Sequence, residues 1–427
     1  MKSLSKNAFK YYDCKENFLI PGVVDSQVYF NDPGYIHRED FSTGTKAAVK
    51  GGVTTIIDMP STNVPALKNV SLLESKLEIV KNKAYCDYAF FGGMTSEEVE
   101  KKQFTDVFEL MEAGTCGIEV YMNTTVASYK HLDNGHLLHV MQKFSDTGFI
   151  IIIHAEDFNI CDYNTKIFKL KNKNYPKAWA EARPDIAEEI SVNNALIMAK
   201  EFNVKLHFVN ISCEKAVLSI QKAKENGLDV TCETHPAYLQ FNEEDINKFG
   251  NISKLTPPLR KKHDNVALWR AINDGTIDMI GSSHCPYEYN TEKEFDGSNI
   301  WNVYSGTPEI EYLLLYLFSE GYLKHKISLD KLIEILCKNP AKRFGLYPIK
   351  GSIKVGAHAD FVIINKNETF TVKKDEMYSK AKYTLFDHSK FNCRIENTFL
   401  RGEKVYDIND GISSENPLGE FIKRRYL

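Results

Sequence analysis

Three side chains could exchange protons with a bound molecule, and each lies in or just after a short apolar run. Tyr29 follows the first run, Glu119 lies within residues 117–122, and His154 ends residues 149–154. A phenol, a carboxyl group and an imidazole are groups that serve in general acid–base catalysis. We therefore predict Tyr29, Glu119 and His154 as catalytic residues, with Glu119 and His154 forming a pair across adjacent strands.

A second set of polar side chains stands at the ends of the same and neighbouring runs. Such a mixed ring could hydrogen-bond a small polar molecule. The predicted ligand-binding residues are Asp25, Gln27, Asn31, Asn210, Ser212, His235, Ser283 and His284. The alternative for any single histidine of the set is a hydrogen-bonded core or rim residue. No metal ligands are predicted, because zinc needs three or four converging side chains, and only His154 and Glu119 form an obvious pair.

Eight short apolar runs would position these residues, with amphipathic stretches between them. The predicted strands are residues 23–30, 53–58, 86–92, 117–122, 149–154, 205–210, 228–233 and 277–282. Because most are apolar on both faces, they fit a closed parallel sheet better than a half-exposed one. The predicted fold is α/β, a TIM (β/α)8 barrel with its site at the C-terminal ends of the strands. An open doubly wound sheet is the alternative, although no glycine-rich phosphate loop follows the first strand.

A small β-domain is predicted beside the barrel. Residues 352–364 and 394–406 alternate apolar and polar side chains between glycines, which is typical of strands. The predicted division is a remnant of this domain at residues 1–20, the barrel at 21–345, and C-terminal strands and tail at 346–427. Only about twenty residues precede Pro21, so we expect the small domain to be truncated and reduced to its C-terminal strands.

Composition excludes several classes of partner. The 427 residues carry a net charge of -4 without a basic block, which argues against nucleic acid. No apolar run approaches the roughly 20 residues of a membrane span, and the N-terminus lacks the apolar core of a signal peptide. The nine cysteines are scattered without a CxxC pair. We therefore expect a reduced, cytoplasmic protein.

A series of motifs runs through nearly the whole chain from Phe18 onward. They are residues 21–25, 30–34, 43–48, 51–60, 154–156, 183–184, 257–260, 284–287, 306–311, 339–341, 356–360 and 401–406. In this order the series resembles the cyclic amidohydrolases, the allantoinase, dihydroorotase and hydantoinase–dihydropyrimidinase group of the amidohydrolase superfamily. The resemblance is specific for the superfamily and much less so for one substrate.

The resemblance implies a binuclear metal centre whose bridging hydroxide attacks the carbonyl of a cyclic amide or ureide. It also assigns the metal ligands to particular positions. Those positions are occupied here by Gln27, Tyr29, Glu119, His154, Asn210 and Ser283. Of these, only His154 is the residue that the family uses, and Glu119 replaces a carboxylated lysine. Without a metal to lower the pKa of water from about 15.7 to about 7, the attacking hydroxide is scarce at neutral pH.

Three hypotheses follow. The first is a homologue without the metal centre and without cofactors, which binds a small polar ligand or a partner, carries no stoichiometric metal and does not turn over dihydroorotate, allantoin, dihydrouracil or hydantoin. The second is a metal-independent enzyme that opens or closes a cyclic amide or ureide with Glu119, His154 and Tyr29. The third is an ordinary metal-dependent cyclic amidohydrolase. The resemblance also implies a homo-oligomer.

Overall fold

The computed structural model describes residues 12–294, 299–413 and 416–425. A parallel barrel is its central feature. The barrel strands are β2 (Val23–Val28), β3 (Val53–Asp58), β4 (Asp87–Phe90), β5 (Gly92–Gly93), β6 (Ile118–Tyr121), β7 (Ile150–His154), β8 (Lys205–Val209), β9 (Val230–Thr234) and β10 (Met279–Ile280). The strands β4 and β5 are two halves of one run, the first pairing with β3 and the second with β6. A bridge between Val28 and His284 closes the ring.

All eight predicted barrel strands are present, and the predicted (β/α)8 fold is confirmed. The greatest difference lies in the last strand, where residues 277–282 were predicted and only Met279–Ile280 is regular. There the backbone leaves the sheet, because Ser282 donates its amide to Asp25 Oδ1 at 2.9 Å and Ser283 adopts a positive φ of 51°. Local side-chain bonding of this kind competes with the ladder of a strand.

Helices return the chain between the strands. They are α1 (Phe41–Lys50), α2 (Val70–Val80), α3 (Ser96–Glu100), α4 (Phe104–Glu112), α5 (Asn134–Phe144), α6 (Phe158–Leu170), α7 (Pro176–Ala182), α8 (Asp185–Phe202), α9 (Glu214–Glu225), α10 (Pro236–Gln240), α11 (Ile246–Phe249), α12 (Lys262–Asp274), α13 (Leu313–Tyr316), α14 (Leu329–Ile333) and α15 (Asn339–Arg343). Several begin at a capping side chain, as α5 does where Asp133 accepts from the amide of His136. Such caps satisfy amides that the first turn leaves without partners.

A five-stranded antiparallel sheet forms the small domain. Its order is β1 (Phe18–Pro21), β11 (Phe361–Asn365), β14 (Arg394–Leu400), β15 (Glu403–Asp407) and β16 (Gly411–Ile412). A separate hairpin joins β12 (Phe370–Thr371) to β13 (Lys390–Phe391). The expectation that only C-terminal strands form this domain is wrong, because β1 pairs along its whole length with β11.

The core is continuous from the barrel wall into the small sheet. Buried side chains of the strands pack against the inner faces of the helices, and Val362 of β11 belongs to the same cluster as Val53 of β3. Among the described residues, no helix is both long enough and apolar enough to cross a membrane.

Candidate active site

A cavity of about 60 Å³ opens at the C-terminal ends of the barrel strands. Five of the predicted residues line it, namely Tyr29, His154, Asn210, His235 and Ser283. They come from the ends of five different strands or from the loops after them, which is the arrangement that this fold uses for its sites. These five predicted residues therefore lie together at one cavity, at the C-terminal end of the barrel.

The other predicted ligand-binding residues do not line the cavity. Asp25 accepts amides of Ser282 and Gln27, and Asn31 donates to the carbonyl of Tyr29. Ser212 donates to Glu188 and accepts from Arg260, while the ring of His284 accepts from the amide of Ile310. Gln27 does not line the cavity either, and its side-chain amide donates to Tyr29 and Asn210. These side chains hold the barrel rim together around the cavity.

The floor of the cavity is one hydrogen-bonded network. Gln27 Nε2 donates to Tyr29 Oη and to Asn210 Oδ1, both at 3.0 Å. Tyr29 Oη lies 3.3 Å from Tyr121 Oη, which lies 3.2 Å from Ser61 Oγ. Burial raises the pKa of the Tyr29 phenol well above its usual value, and the Glu119 carboxyl group adds to the effect. Tyr29 therefore stays protonated and can serve as a hydrogen-bond donor.

Two residues of the rim have backbones in the left-handed region. Asn210, just after β8, has a φ of 61°, and Ser283, after β10, has a φ of 51°. Such conformations are costly for residues with a side chain and persist where the surroundings hold them. Here Ser283 Oγ donates to Asn210 Oδ1 at 3.2 Å, so the two turns are joined across the cavity.

Glu119 is fully buried beneath this floor. Neither of its carboxyl oxygens has a hydrogen bond of ordinary geometry to any residue that the structure describes. Burial raises the pKa of Glu119 to about 8, and the nearby hydroxyl groups of Tyr121 and Ser61 offset only part of that effect. At neutral pH the group is therefore mainly a protonated, uncharged acid.

The predicted pair of Glu119 and His154 is not formed. His154 Nε2 lies 3.1 Å from Glu156 Oε2, and its Nδ1 lies 3.4 Å from Asn210 Nδ2. Both ring nitrogens therefore point away from Glu119. The reason is the alternation of side chains along the chain, since Glu156 lies two residues after His154 and returns to the same side.

Three polar atoms at the cavity wall have no hydrogen-bond partner among the described residues. They are Thr62 Oγ1, Asn123 Nδ2 and His235 Nδ1, and all three side chains are buried. Burial lowers the pKa of His235 to about 3, so its imidazole is neutral. A buried polar atom without a partner is costly, so these atoms are available to hydrogen-bond a polar molecule in the cavity. The sequence analysis did not single out Thr62 or Asn123, although Asn123 directly follows the predicted strand 117–122.

The segment after β10 covers one side of the cavity. Tyr287, Ser305 and Gly306 line it. Lys293 Nζ donates to the carbonyls of Tyr304 and Gly306, and Lys254 Nζ donates to those of Ile300 and Val303. Gly306 has a φ of 149°, and a Cβ there would lie 2.8 Å from that of Cys285. Only glycine fits this close approach.

The cavity's donors do not fit the binuclear metal centre that the resemblance implies. Gln27 and Asn210 are uncharged and bonded to each other, and the Tyr29 phenol and the Glu119 carboxyl are protonated at neutral pH. His154 Nε2 is engaged by Glu156, so Nδ1, with its long 3.4 Å contact to Asn210, is the one imidazole nitrogen that these positions could offer to two metal ions. Divalent ions prefer anionic or free imidazole ligands. The chemistry available at the cavity is that of its own acid and base groups.

A group with metal-ligand side chains lies elsewhere, at the N-terminal end of β4. Asp87, His358 and Asp360 offer ligand atoms within 4.8 Å of one another. Lys350 and Arg401 also pair with Asp87, so a cation would compete with two fixed positive charges. The sequence prediction of no metal ligands missed this group. The His-Ala-Asp run at residues 358–360 was its only local signal.

The similarities to known proteins agree with this geometry. Residues 18–405 match the model of the Amidohydrolase family. The chain is 32% identical over 421 residues to an allantoinase of Bacillus licheniformis, covering 97% of this chain and 91% of the relative. It is 32% identical over 410 residues to an allantoinase of Deinococcus radiodurans, with 96% and 89% covered. The structure superposes on an L-hydantoinase (dihydropyrimidinase) from Arthrobacter aurescens with a TM-score of 0.93 and 28% identity, covering 98% and 91%.

These findings correct the first functional hypothesis. The prediction of a homologue that binds a ligand without hydrolysing it is wrong. Relatives over almost the full length are named for hydrolytic activities, and the described residues include a group able to hold a metal ion. The substitutions at the family's metal-ligand positions had suggested a lost activity, because that hypothesis considered the metal ligands alone.

Proposed function

The chain belongs to the amidohydrolase family, and from this premise we propose that it is an enzyme acting on a C–N bond of a small cyclic amide or ureide, opening the ring with water or closing it in reverse. The observation that carries the proposal is the buried, uncharged cavity with unpartnered polar atoms at the C-terminal ends of the barrel strands. The names of the relatives, allantoinase and hydantoinase, support this class of substrate.

The cavity wall suits a ring that alternates carbonyl and N–H groups. Asn123 Nδ2 can donate to a carbonyl, and His235 Nδ1, neutral in its buried position, can pair with a ring N–H or a carbonyl according to its tautomer. Thr62 Oγ1 can do either. Each of these contacts would satisfy an atom that otherwise has no partner, so a ring amide is stabilised by groups already desolvated.

The reaction needs a base for water and a donor for the carbonyl oxygen. His154 Nδ1, with only a long 3.4 Å contact to Asn210, is placed to accept a proton from water. The Tyr29 hydroxyl, kept protonated by burial, can donate to the oxyanion that forms when water attacks the carbonyl carbon. Glu119 is mainly protonated at neutral pH and lies next to the hydroxyl groups of Tyr121 and Ser61. When the C–N bond breaks, the proton taken from water goes to the leaving nitrogen.

Ring opening of allantoin, hydantoin and dihydrouracil tests the proposal. We expect turnover of at least one of them, and a fall of about 100-fold or more in kcat for His154→Gln and Tyr29→Phe. The control is Tyr163→Phe on the exposed face of α6, which should match the wild type. Assays in chelator and in added zinc show whether a metal supplies the hydroxide. Failure of all three substrates to react in both conditions would contradict the proposal.

We also propose that the protein forms a homo-oligomer and works in the cytoplasm. Large apolar side chains on the outer helices are exposed, with Leu170 at 80% and Ile197 at 68%. Exposed apolar surface of this kind is common at interfaces between subunits. All nine cysteines are free thiols, which is typical of a reducing compartment.

A further inference from the structure

A chain of three buried side chains leads away from the cavity, beginning at His154. His154 Nε2 contacts Glu156 Oε2 at 3.1 Å, and Arg183 Nη1 donates to the same oxygen at 2.7 Å. His154, Glu156 and Arg183 are 1%, 0% and 5% exposed. Glu156 and Arg183 do not line the cavity, so neither can touch a substrate there.

Helix α7 holds the guanidinium of Arg183 in place. The guanidinium carbon lies 4.1 Å from the centre of the Trp179 ring. Trp179 Nε1 donates to the carbonyl of Leu255 at 2.7 Å, and Leu255 lines the cavity. The backbone carbonyl of Arg183 accepts from Arg260 at 2.5 Å. Stacking on Trp179 thus holds the guanidinium of Arg183, and the hydrogen bond from Arg260 holds its backbone. Both contacts keep Arg183 in place beside Glu156.

The partners of Glu156 decide which nitrogen of His154 carries the proton. Arg183 Nη1 donates to Glu156 Oε2 at 2.7 Å, and this buried ion pair holds a carboxylate against His154 Nε2. An ionised carboxylate only accepts hydrogen bonds. His154 must therefore donate from Nε2, and its Nδ1 then presents a lone pair at the cavity.

We propose that Glu156 and Arg183 are positioning residues that lock His154 in the Nε2–H tautomer, with Nδ1 free to accept a proton in the cavity. The expected effect on turnover rests on the proposed function, whereas the tautomer of His154 does not. A second hydrogen-bond partner is a common means of fixing which imidazole nitrogen reacts. Neither Glu156 nor Arg183 contacts the reacting atoms.

The tautomer can be measured directly by nitrogen NMR on protein labelled with 15N-histidine, with His154 assigned by comparison with His154→Gln. We expect wild-type His154 to carry its proton on Nε2. Glu156→Met should give a mixture of tautomers, because it removes the acceptor. Glu156→Gln should keep the wild-type tautomer, because an amide oxygen at the same place can accept from both His154 and Arg183.

Kinetics give a second readout. Glu156→Met and Arg183→Met should lower kcat by about tenfold or more while KM changes little, and Glu156→Gln and Arg183→Lys should recover part of the loss. The matched control is Arg343→Met, because Arg343 also pairs with a carboxylate but at the opposite end of the barrel. It should change neither the His154 signals nor kcat.

Two results would overturn the positioning role. One is the finding that wild-type His154 carries its proton on Nδ1, a measurement that does not depend on whether any variant folds. The other is an unchanged tautomer in folded Glu156→Met. By contrast, a clear Nε2–H signal in a protein that opens no cyclic ureide would refute the proposed function and leave the positioning of His154 intact.

Discussion

At the scale of single residues, the environment of a side chain decides its chemistry at this site. Glu119 and Glu156 are both fully buried. Burial, with a smaller effect of the Asp58 charge, raises the pKa of Glu119 to about 8, whereas Arg183 holds that of Glu156 at about 2. The first is an acid and the second an anion at neutral pH. Pairs of carboxyl groups whose surroundings separate their pKa values are a feature of working sites.

Glu119 should make stability depend on pH. Its folded pKa of about 8 lies above the ordinary 4.5, so the folded protein keeps a proton that the unfolded chain releases between these values. Stability should therefore fall as the pH rises from about 5 to about 8, by roughly 4 kcal/mol from this group. In Glu119→Gln, which is uncharged at every pH, that part of the decline should vanish.

Urea unfolding of the wild type and of Glu119→Gln at pH 5.5 and 8.5 measures the effect. The control is Glu225→Gln, a substitution at the exposed end of α9, which should follow the wild type. Parallel decline of wild type and Glu119→Gln would mean that Glu119 is ionised in the folded protein.

At the scale of elements, the segment after β10 that covers one side of the cavity is held by two lysines rather than by strand pairing. Lys254 and Lys293 are buried and donate to backbone carbonyls of residues 300–306. Burial lowers the pKa of Lys254 to about 6 and that of Lys293 to about 7. Their hydrogen bonds satisfy carbonyls that no ladder reaches, and so they keep the wall of the cavity ordered.

Removing one of these lysines should loosen the segment. In Lys254→Met the carbonyl of Val303 loses its lysine donor and that of Ile300 keeps only the amide of Val303 at 3.4 Å, at a cost of about 1–3 kcal/mol. We expect faster amide hydrogen exchange in residues 299–306. The control is Lys324→Met on an exposed ion pair, which should leave exchange there unchanged. Unaltered exchange in Lys254→Met would show that other contacts hold the wall.

At the scale of the whole molecule, a buried ionic cluster joins the barrel to the C-terminal part. Asp87 begins β4 and pairs with Lys350 and Arg401, and Lys350 also contacts Asp360 at 2.6 Å. The amide of Glu420 donates to Asp87 as well. One carboxylate thus connects a barrel strand to three separate stretches of the later chain.

Asp87→Asn should destabilise the whole protein, because Lys350 and Arg401 lose the buried carboxylate that they share and keep only Asp360 and Glu420. A loss of about 3–5 kcal/mol in the free energy of unfolding is expected. Asp229→Asn, which alters a half-exposed pair with Arg343, should cost about 1 kcal/mol or less. Chemical denaturation of both variants makes the comparison. Equal losses would show that the cluster does not join the two parts.

The homo-oligomer is also tested at this scale. We expect light scattering at micromolar concentration to give a mass at least twice that of the chain. Ile197→Asp, which places a charge on an exposed apolar position of α8, should lower that mass if this face is the interface. A wild-type monomer would refute the prediction.

The amino-acid sequence by itself indicated a parallel sheet covered on both faces, because its strands are continuous apolar runs. The absence of a glycine-rich loop after the first strand favoured a barrel over an open sheet. The sequence also indicated the polar residues at the strand ends, among them Tyr29, His154 and Asn210. Only the tertiary structure decided what these residues contact. His154 pairs with Glu156, to which Arg183 also donates, rather than with Glu119, and Asp87 meets His358 across 271 residues of chain. Such contacts depend on side-chain direction and on distant segments, which local patterns do not record.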